Sequence, residues 1–446
     1  MSHAQAYRDR LSTPADAVAR IPCGAKIAMA LGAGAPPTIL GAIADSARAG
    51  QLTDVRIYYL LSTAIAGRSV FAPDLDEKIR PMSFFHAGVE RALDKSRTAT
   101  ARPAVDFLPA HFSQVPRALC EHIGVDTLIA TVAPMDDNGN FSFGTNTDYA
   151  HAVAHRPGVR LLFEVNRFMP RVGGRSSVHV SQVAALIEND VPLLELPPSP
   201  SSDVDAAIGR IIAGLVDDGA CLQMGIGALP DAVCAGLQNH RHLGIHTEMM
   251  TPGLAALVRS GIVDNSRKRL HRDVSIFTFA FGDHALYNFL HDNPAIEAHP
   301  VEYVNDPAVI ALNARMVSVN ATLEIDLHGA CNSEFVAGHQ YSAAGGQVDF
   351  VRGAYASPGG RSIIACHSTA LGGTVSRIVP QLSGPVTTHR NDTHIVVTEH
   401  GWADLKGKCL EDRTRALIAL ADPRFREDLE RKAFALGLSR RRHAST

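Results

Sequence analysis

The chain has 446 residues, 46% hydrophobic and 20% charged, which is enough apolar content to bury a core and a length suited to two or three domains. Its 42 Lys and Arg against 45 Asp and Glu give a formal charge of −3, which excludes a chain-wide basic footprint for nucleic acid or an anionic membrane. Seven scattered cysteines hold no Cys-x-x-Cys pair, which leaves zinc ribbons and thioredoxin-like motifs unsupported and suits reduced thiols in a cytoplasmic protein.

From Met1 to Arg20 the chain is polar and lacks the apolar core of a secretory signal, and nowhere does it run for 18 apolar residues, so no membrane span is expected. Short apolar runs then alternate with longer amphipathic ones, the pattern of α/β architecture with mainly parallel sheets. Strands are predicted at Ala25–Met29, Val55–Leu61, Thr127–Val132, Arg160–Val165 and Leu193–Leu196 in the first half. In the second half they are predicted at Ala220–Met224, Leu243–Ile245, Val274–Phe279, Val317–Val319, Ser362–Cys366 and His394–Thr398. Arg413–Lys432 reads as surface helix, broken at Asp422-Pro423 into an N-cap and first residue of a second helix.

Two segments resemble each other: Ala28–Ala44 (AMALGAGAPPTILGAIA) and Leu222–Leu237 (LQMGIGALPDAVCAGL). Each is an apolar strand, a Gly-x-Gly turn, a proline near the helix start and an apolar helix. Each opens a domain in the reading 1–196, linker 197–204, 205–446, with the Pro/Ser-rich stretch Pro197–Ser202 between them. Neither copy completes a dinucleotide fingerprint, since Pro37 and Pro230 stand where the third glycine belongs, and no Gly-Lys-Ser/Thr follows for a nucleoside triphosphate. In SAAGGQVDF (Ser342–Phe350), Gln347 and Asp349 sit between small and apolar residues, where polar groups need partners.

GIHTEMM (Gly244–Met250) begins as a strand and turns toward a helix over Thr251–Arg259. Ligands of open α/β sheets bind beyond the carboxyl ends of the strands, where Glu248 falls, close to the Gly225-x-Gly227 turn. A first-turn helix acid favoured by the dipole is the other reading of Glu248. The 21 histidines show no chelating spacing, and His240-Arg241-His242 reads as solvated, so no metal is expected. Gly-x-Ser-x-Gly is absent.

Leu222–Val233, Leu243–Met250, Ala343–Ala354 and Val396–Lys408, supported by Leu31–Leu40, Val132–Tyr149 and Glu164–Arg171, together resemble the acetyl-CoA hydrolase/transferase family over nearly the whole chain. The resemblance implies two related CoA-transferase-like α/β domains with the active site in the cleft between them. It implies Glu248 as the catalytic carboxylate, and Gly225, Ile226, Gly227, Ala228 and Leu229 with Ser342, Gly345 and Gly346 as contacts to coenzyme A. Ile226, Gly345 and Gly346 would frame the thioester oxyanion. The implied activity is transfer of CoA from acetyl-, butyryl- or succinyl-CoA to 4-hydroxybutyrate, butyrate, acetate or a dicarboxylate such as itaconate, with no cofactor beyond coenzyme A and no metal. Glu248, ionised at its ordinary pKa, is expected to attack the thioester. Hydrolysis by the same Glu248 and a non-catalytic CoA or metabolite sensor are the alternatives. Acyl-CoA and small carboxylic acids are the expected partners, with no nucleic acid and no membrane, and a homodimer or higher homo-oligomer is expected. Two departures from the family pattern are Ala343, where glycine is common, and the absence of lysine in Ala370–Thr374, which leaves the phosphate contacts unassigned.

Overall fold

Runs in which every side chain is apolar or small bury both faces of a strand and so favour parallel pairing under helices. The computed structural model, which describes residues 2–96, 103–197 and 200–440, follows that rule in two compact units. The first comprises 1–197, 250–252 and 276–304, and the second 198–249, 253–275 and 305–446.

The first unit is built on a seven-stranded sheet of β1 (Lys26–Met29), β2 (Val55–Tyr59), β3 (Ile79–Ser83), β4 (Asp106–Phe107), β5 (Thr127–Val132), β6 (Arg160–Val165) and β7 (Ala185–Glu188). The order is β7-β6-β5-β1-β2-β3-β4 and every pair is parallel. Helix α1 (Pro37–Arg48) packs Ile39, Leu40 and Ile43 onto Ile27, Met29, Val55 and Ile57. Its first free N–H groups are met by Glu164 from the end of β6, whose Oε2 accepts from Thr38 N at 2.8 Å and Ile39 N at 3.2 Å.

The second unit carries β8 (Cys221–Met224), β9 (Gly244–Ile245), β10 (Met316–Ala321), β11 (Arg361–Ala365), β12 (Ile395–Thr398) and β13 (Gly401–Asp404) in the order β9-β8-β10-β11-β12-β13. All pairs are parallel except the β12–β13 hairpin. Around it lie α2 (Asp203–Ala213), α3 (Ala228–Gly236), α4 (Gln347–Ala356), α5 (Leu410–Leu420) and α6 (Pro423–Ala435). The predicted break holds, with Asp422 accepting from Arg424 N as the N-cap of α6. In both sheets the chain adds its second strand on one side of the first and then crosses to the other side. This topological switch lies at the carboxyl end of the strand followed by Gly-x-Gly, the place where such folds bind ligands.

Some expectations change. Leu193–Leu196 is not a strand: held between Pro192 and Pro197, it turns its Leu196 N–H to Gly282 O, and Ala185–Glu188 pairs with β6 instead. Val274–Phe279 divides into Ser275–Phe277 and Phe279–Ala280. Of the expected linker, 198–199 lie outside the described residues, and Ser202 is the N-cap of α2 in a capping box with Asp205. The compact units also do not follow one cut in the chain, because 250–252 and 276–304 pack with the first unit. That packing is visible in Phe279 set edge-on to Phe112 at 6.0 Å and in Tyr287 Oη donating to Leu194 O at 2.7 Å.

Candidate active site

The site grows from β8 and β9 in the second unit. Strand β8 is buried throughout, and Gly225 extends its ladder by donating to Val319 O at 3.1 Å. Ile226 is exposed on the turn, and Gly227 adopts φ 107°, ψ −176°, which side-chain-bearing residues rarely take. Ala228 and the buried Leu229 then open α3. The sequence places glycine where the backbone must reverse tightly from strand into helix, and so leaves peptide N–H groups of the α3 start open to an anion or carbonyl.

Strand β9 is the sheet edge, and side chains satisfy its outer backbone groups. Ile245 N donates to Asn265 Oδ1 at 2.9 Å, and Ile245 O accepts from the buried Lys268 Nζ at 2.9 Å. His246 N continues the ladder to Leu222 O, and His246 and Thr247 are both buried. These contacts fix the segment that delivers Glu248 beyond the strand end.

Glu248 is not the first-turn acid of the following helix, which starts at Pro252. It lies instead at the N-terminus of α4, where Gly346 is the N-cap and its N–H donates to the Glu248 carboxylate. Oε2 of Glu248 also accepts from Asn305 Nδ2 at 2.6 Å. A methyl group on Gly346 would overlap both Glu248 Oε2 and Asn305 Nδ2, so this position requires glycine for close approach. Burial, with a smaller push from Asp349, raises the Glu248 pKa to about 7 against the pull of Asn305 and Gly346. The setting of Glu248 thus differs from the ordinary carboxylate of the sequence reading, because desolvation pushes its pKa up to about 7.

Gly345, at φ 51°, leads into Gly346, and Ser342 lies half-buried upstream with its N–H on Glu334 O. Gln347 donates to Thr388 Oγ1 at 2.9 Å, which accounts for one of the polar side chains in that segment, and Asp349 is buried in the first turn of α4. Of the predicted framing residues, Gly346 is the one that hydrogen-bonds Glu248, while Gly225–Leu229 leaves the sheet one strand away. The histidines read as solvated have protein partners: His242 pairs with Asp264 at 2.7 Å and His240 with Val216 O at 3.0 Å.

Asn305 was not legible in the sequence. It precedes Asp306-Pro307, which signals only a helix start, and 57 residues separate it from Glu248. It is fully buried, and its Oδ1 has no hydrogen-bond partner among the described residues. Chemically, the group is a partly buried carboxylate with one amide and one peptide N–H donor, one strand away from the glycine turn.

Known proteins carry the same organisation. Residues 1–195 match the acetyl-CoA hydrolase/transferase N-terminal domain and 282–433 the corresponding C-terminal domain, and Glu248 falls between the two matches. The chain is 40% identical over 437 residues to succinyl-CoA:cyclohexane-1-carboxylate CoA transferase of Geobacter metallireducens, covering 97% of each. It is 39% identical over 433 residues to 4-hydroxybutyrate coenzyme A transferase of Clostridium kluyveri, covering 96% of this chain and 98% of that one. The crystal structure of RipA from Yersinia pestis matches with a TM-score of 0.95 at 50% identity, over 98% of this chain and 100% of that one. The chain belongs to the acetyl-CoA hydrolase/transferase family, and it is a CoA-transferase.

Proposed function

We propose that this enzyme moves CoA from a short-chain acyl-CoA to a second carboxylic acid through a covalent glutamyl-CoA thioester on Glu248. The observation that carries the reading is the setting of Glu248: a partly buried carboxylate beyond a parallel strand, held by Asn305 Nδ2 and the Gly346 N–H at the start of a helix. In the first step a carboxylate oxygen attacks the thioester carbonyl, the C–S bond breaks, and an acyl-glutamyl anhydride and CoA thiolate form. The thiolate then attacks the glutamyl carbonyl, the anhydride C–O bond breaks, and the first acid leaves as its carboxylate. A second acid runs the two steps in reverse and departs as the new acyl-CoA.

Each tetrahedral intermediate bears an oxyanion that needs fixed donors, each worth about 2.7–4 kcal/mol in comparable enzymes. Peptide N–H groups around Ile226 and Gly345–Gly346 would supply them, and the Gly346 N–H already donates to the Glu248 carboxylate. The route asks for no metal and no redox cofactor. By their names the relatives above act on succinyl-CoA with cyclohexane-1-carboxylate and on 4-hydroxybutyrate, which supports carboxylic acids, dicarboxylates among them, as the acid class here. Seven free cysteines agree with a reducing, cytoplasmic setting, and no helix among the described residues is long and apolar enough to cross a membrane.

The test is a panel assay with acetyl-CoA or succinyl-CoA as donor, a set of acids as acceptors, and product masses as readout. Transfer with ping-pong kinetics is expected, together with a protein adduct of one CoA less a water when no acceptor is present. Glu248→Ala should abolish transfer and adduct while retaining CoA binding. Release of free CoA at the same rate with and without acceptor would instead establish hydrolysis. Near-normal transfer by Glu248→Ala, or an adduct on Asp349 or Glu399, would overturn the mechanism.

A further inference from the structure

At the carboxyl end of the same sheet, where Glu248 and the Gly225 turn also lie, one guanidinium is under-used. Arg377 sits between the chain leaving β10 and the chain leaving β11: its N–H donates to Ser368 O at 2.9 Å, and its carbonyl accepts from Ile325 N at 2.9 Å. Among the described residues its side chain makes one long hydrogen bond, from a terminal nitrogen to Thr322 O at 3.3 Å, while Nε has no acceptor. It forms no ion pair among the described residues, although carboxylates lie along this edge. Glu399 is taken by Ser368 N at 2.9 Å and Ser368 Oγ at 2.6 Å. Asp326 is taken by His328 N and Ala330 N at 3.0 and 2.9 Å, and Glu324 by Ser383 N and Oγ at 2.7 and 2.8 Å. Arg413, a structural arginine of the same unit, contrasts with it by donating to the carbonyls of Leu405, His328 and Arg390.

Arg377 is only partly buried, and its second terminal nitrogen has no acceptor among the described residues, which leaves donors of the fork open to an anion that arrives with a ligand. Strands lie about 4.8 Å apart, which puts the end of β10 about 10 Å along the edge from that of β9. An extended pantetheine arm reaches at least that far from a thioester held at Glu248. We propose that Arg377 contacts a phosphate of coenzyme A and so supplies a cation for the CoA phosphates, a contact that the sequence alone leaves unassigned. This rests on the reading of Glu248 as the group that takes the thioester.

The test compares wild type, Arg377→Met and Arg377→Lys by calorimetry with CoA and dephospho-CoA, and by kinetics with acyl-CoA and with S-acyl-pantetheine, which has no ADP portion. Arg377→Met should weaken CoA binding about tenfold or more, raise KM for acyl-CoA to match, and leave kcat and the S-acyl-pantetheine KM within twofold. Arg377→Lys should recover part of the affinity, because it keeps the charge without the planar fork. A penalty that persists with dephospho-CoA assigns the contact to the diphosphate, and one that vanishes assigns it to the 3′-phosphate. Unchanged CoA affinity in Arg377→Met, or equal losses for acyl-CoA and S-acyl-pantetheine, would overturn the proposal. Should Arg377→Met fail to fold, the same comparison on Arg377→Lys decides. A wild type that binds CoA but forms no adduct would sink the Glu248 mechanism and leave the Arg377 result standing by calorimetry.

Discussion

On the proposed mechanism Glu248 reacts as a carboxylate, yet desolvation favours its neutral form, so its two donors would govern how much nucleophile exists at a given pH. With the pKa raised to about 7, kcat/KM for acyl-CoA should fall about tenfold per pH unit below that value. Asn305 pulls the pKa down, so Asn305→Ala should move this acidic limb to higher pH as well as lower the rate. A limb that stays in place would show that Asn305 does not stabilise the charge. The same shift bears on stability. Below the ordinary glutamate value of 4.5, Glu248 is neutral in both the folded and unfolded chain and has no effect. As pH rises from there through about 7, the unfolded chain ionises first and the fold loses stability. Glu248→Gln should therefore melt about 2 °C or more above wild type at pH 8, with the gap closing toward pH 4.5. A variant that melts below wild type at pH 8 would contradict the burial cost.

Among elements, the strand, glycine turn and helix at β8 and α3 separate fold from ligand effects. Gly227 is a poor probe, because its φ of 107° strains any side chain even though no atom lies within 4 Å of the added carbon. Gly225 is a clean one: a methyl group there would make ordinary contacts, 3.6 Å to Val319 O and 3.7 Å to Pro230 Cγ. Gly225→Ala should keep the melting temperature and raise KM for acyl-CoA severalfold. An unchanged KM would place CoA away from this turn. The turn was legible in sequence because glycine and proline report backbone geometry directly, and Glu248 because it follows a short strand in a distinctive run. Asn305 and the bracing of β9 by Asn265 and Lys268 were not, since a side chain that reaches across tens of residues leaves no periodicity behind. Leu193–Leu196 misled for a related reason: apolar content predicts burial, but flanking prolines decide whether a ladder can form.

For the molecule as a whole, the family resemblance motivates a homodimer or higher homo-oligomer, and sedimentation at micromolar concentration should show no stable species at the 47.6 kDa monomer mass. A single 47.6 kDa species would exclude it. The α/β class was readable from alternating apolar runs, but the return of 250–252 and 276–304 to the first unit was not, because local pattern does not say which core a segment joins. That return sets an order of events during synthesis. The first unit has its sheet by residue 188 but lacks Ile276, Phe277, Leu286 and Tyr287, all buried in the finished protein, until Val304 has been made. Glu248 precedes one passage of the chain between units and Asn305 follows another, so the hydrogen bond between them forms only after that delayed completion. Ribosome-arrested chains ending near residue 200 should accordingly stay open to protease, and chains whose residue 304 has emerged should become resistant. Early resistance of the shorter chain would mean that its first 197 residues close a core unaided.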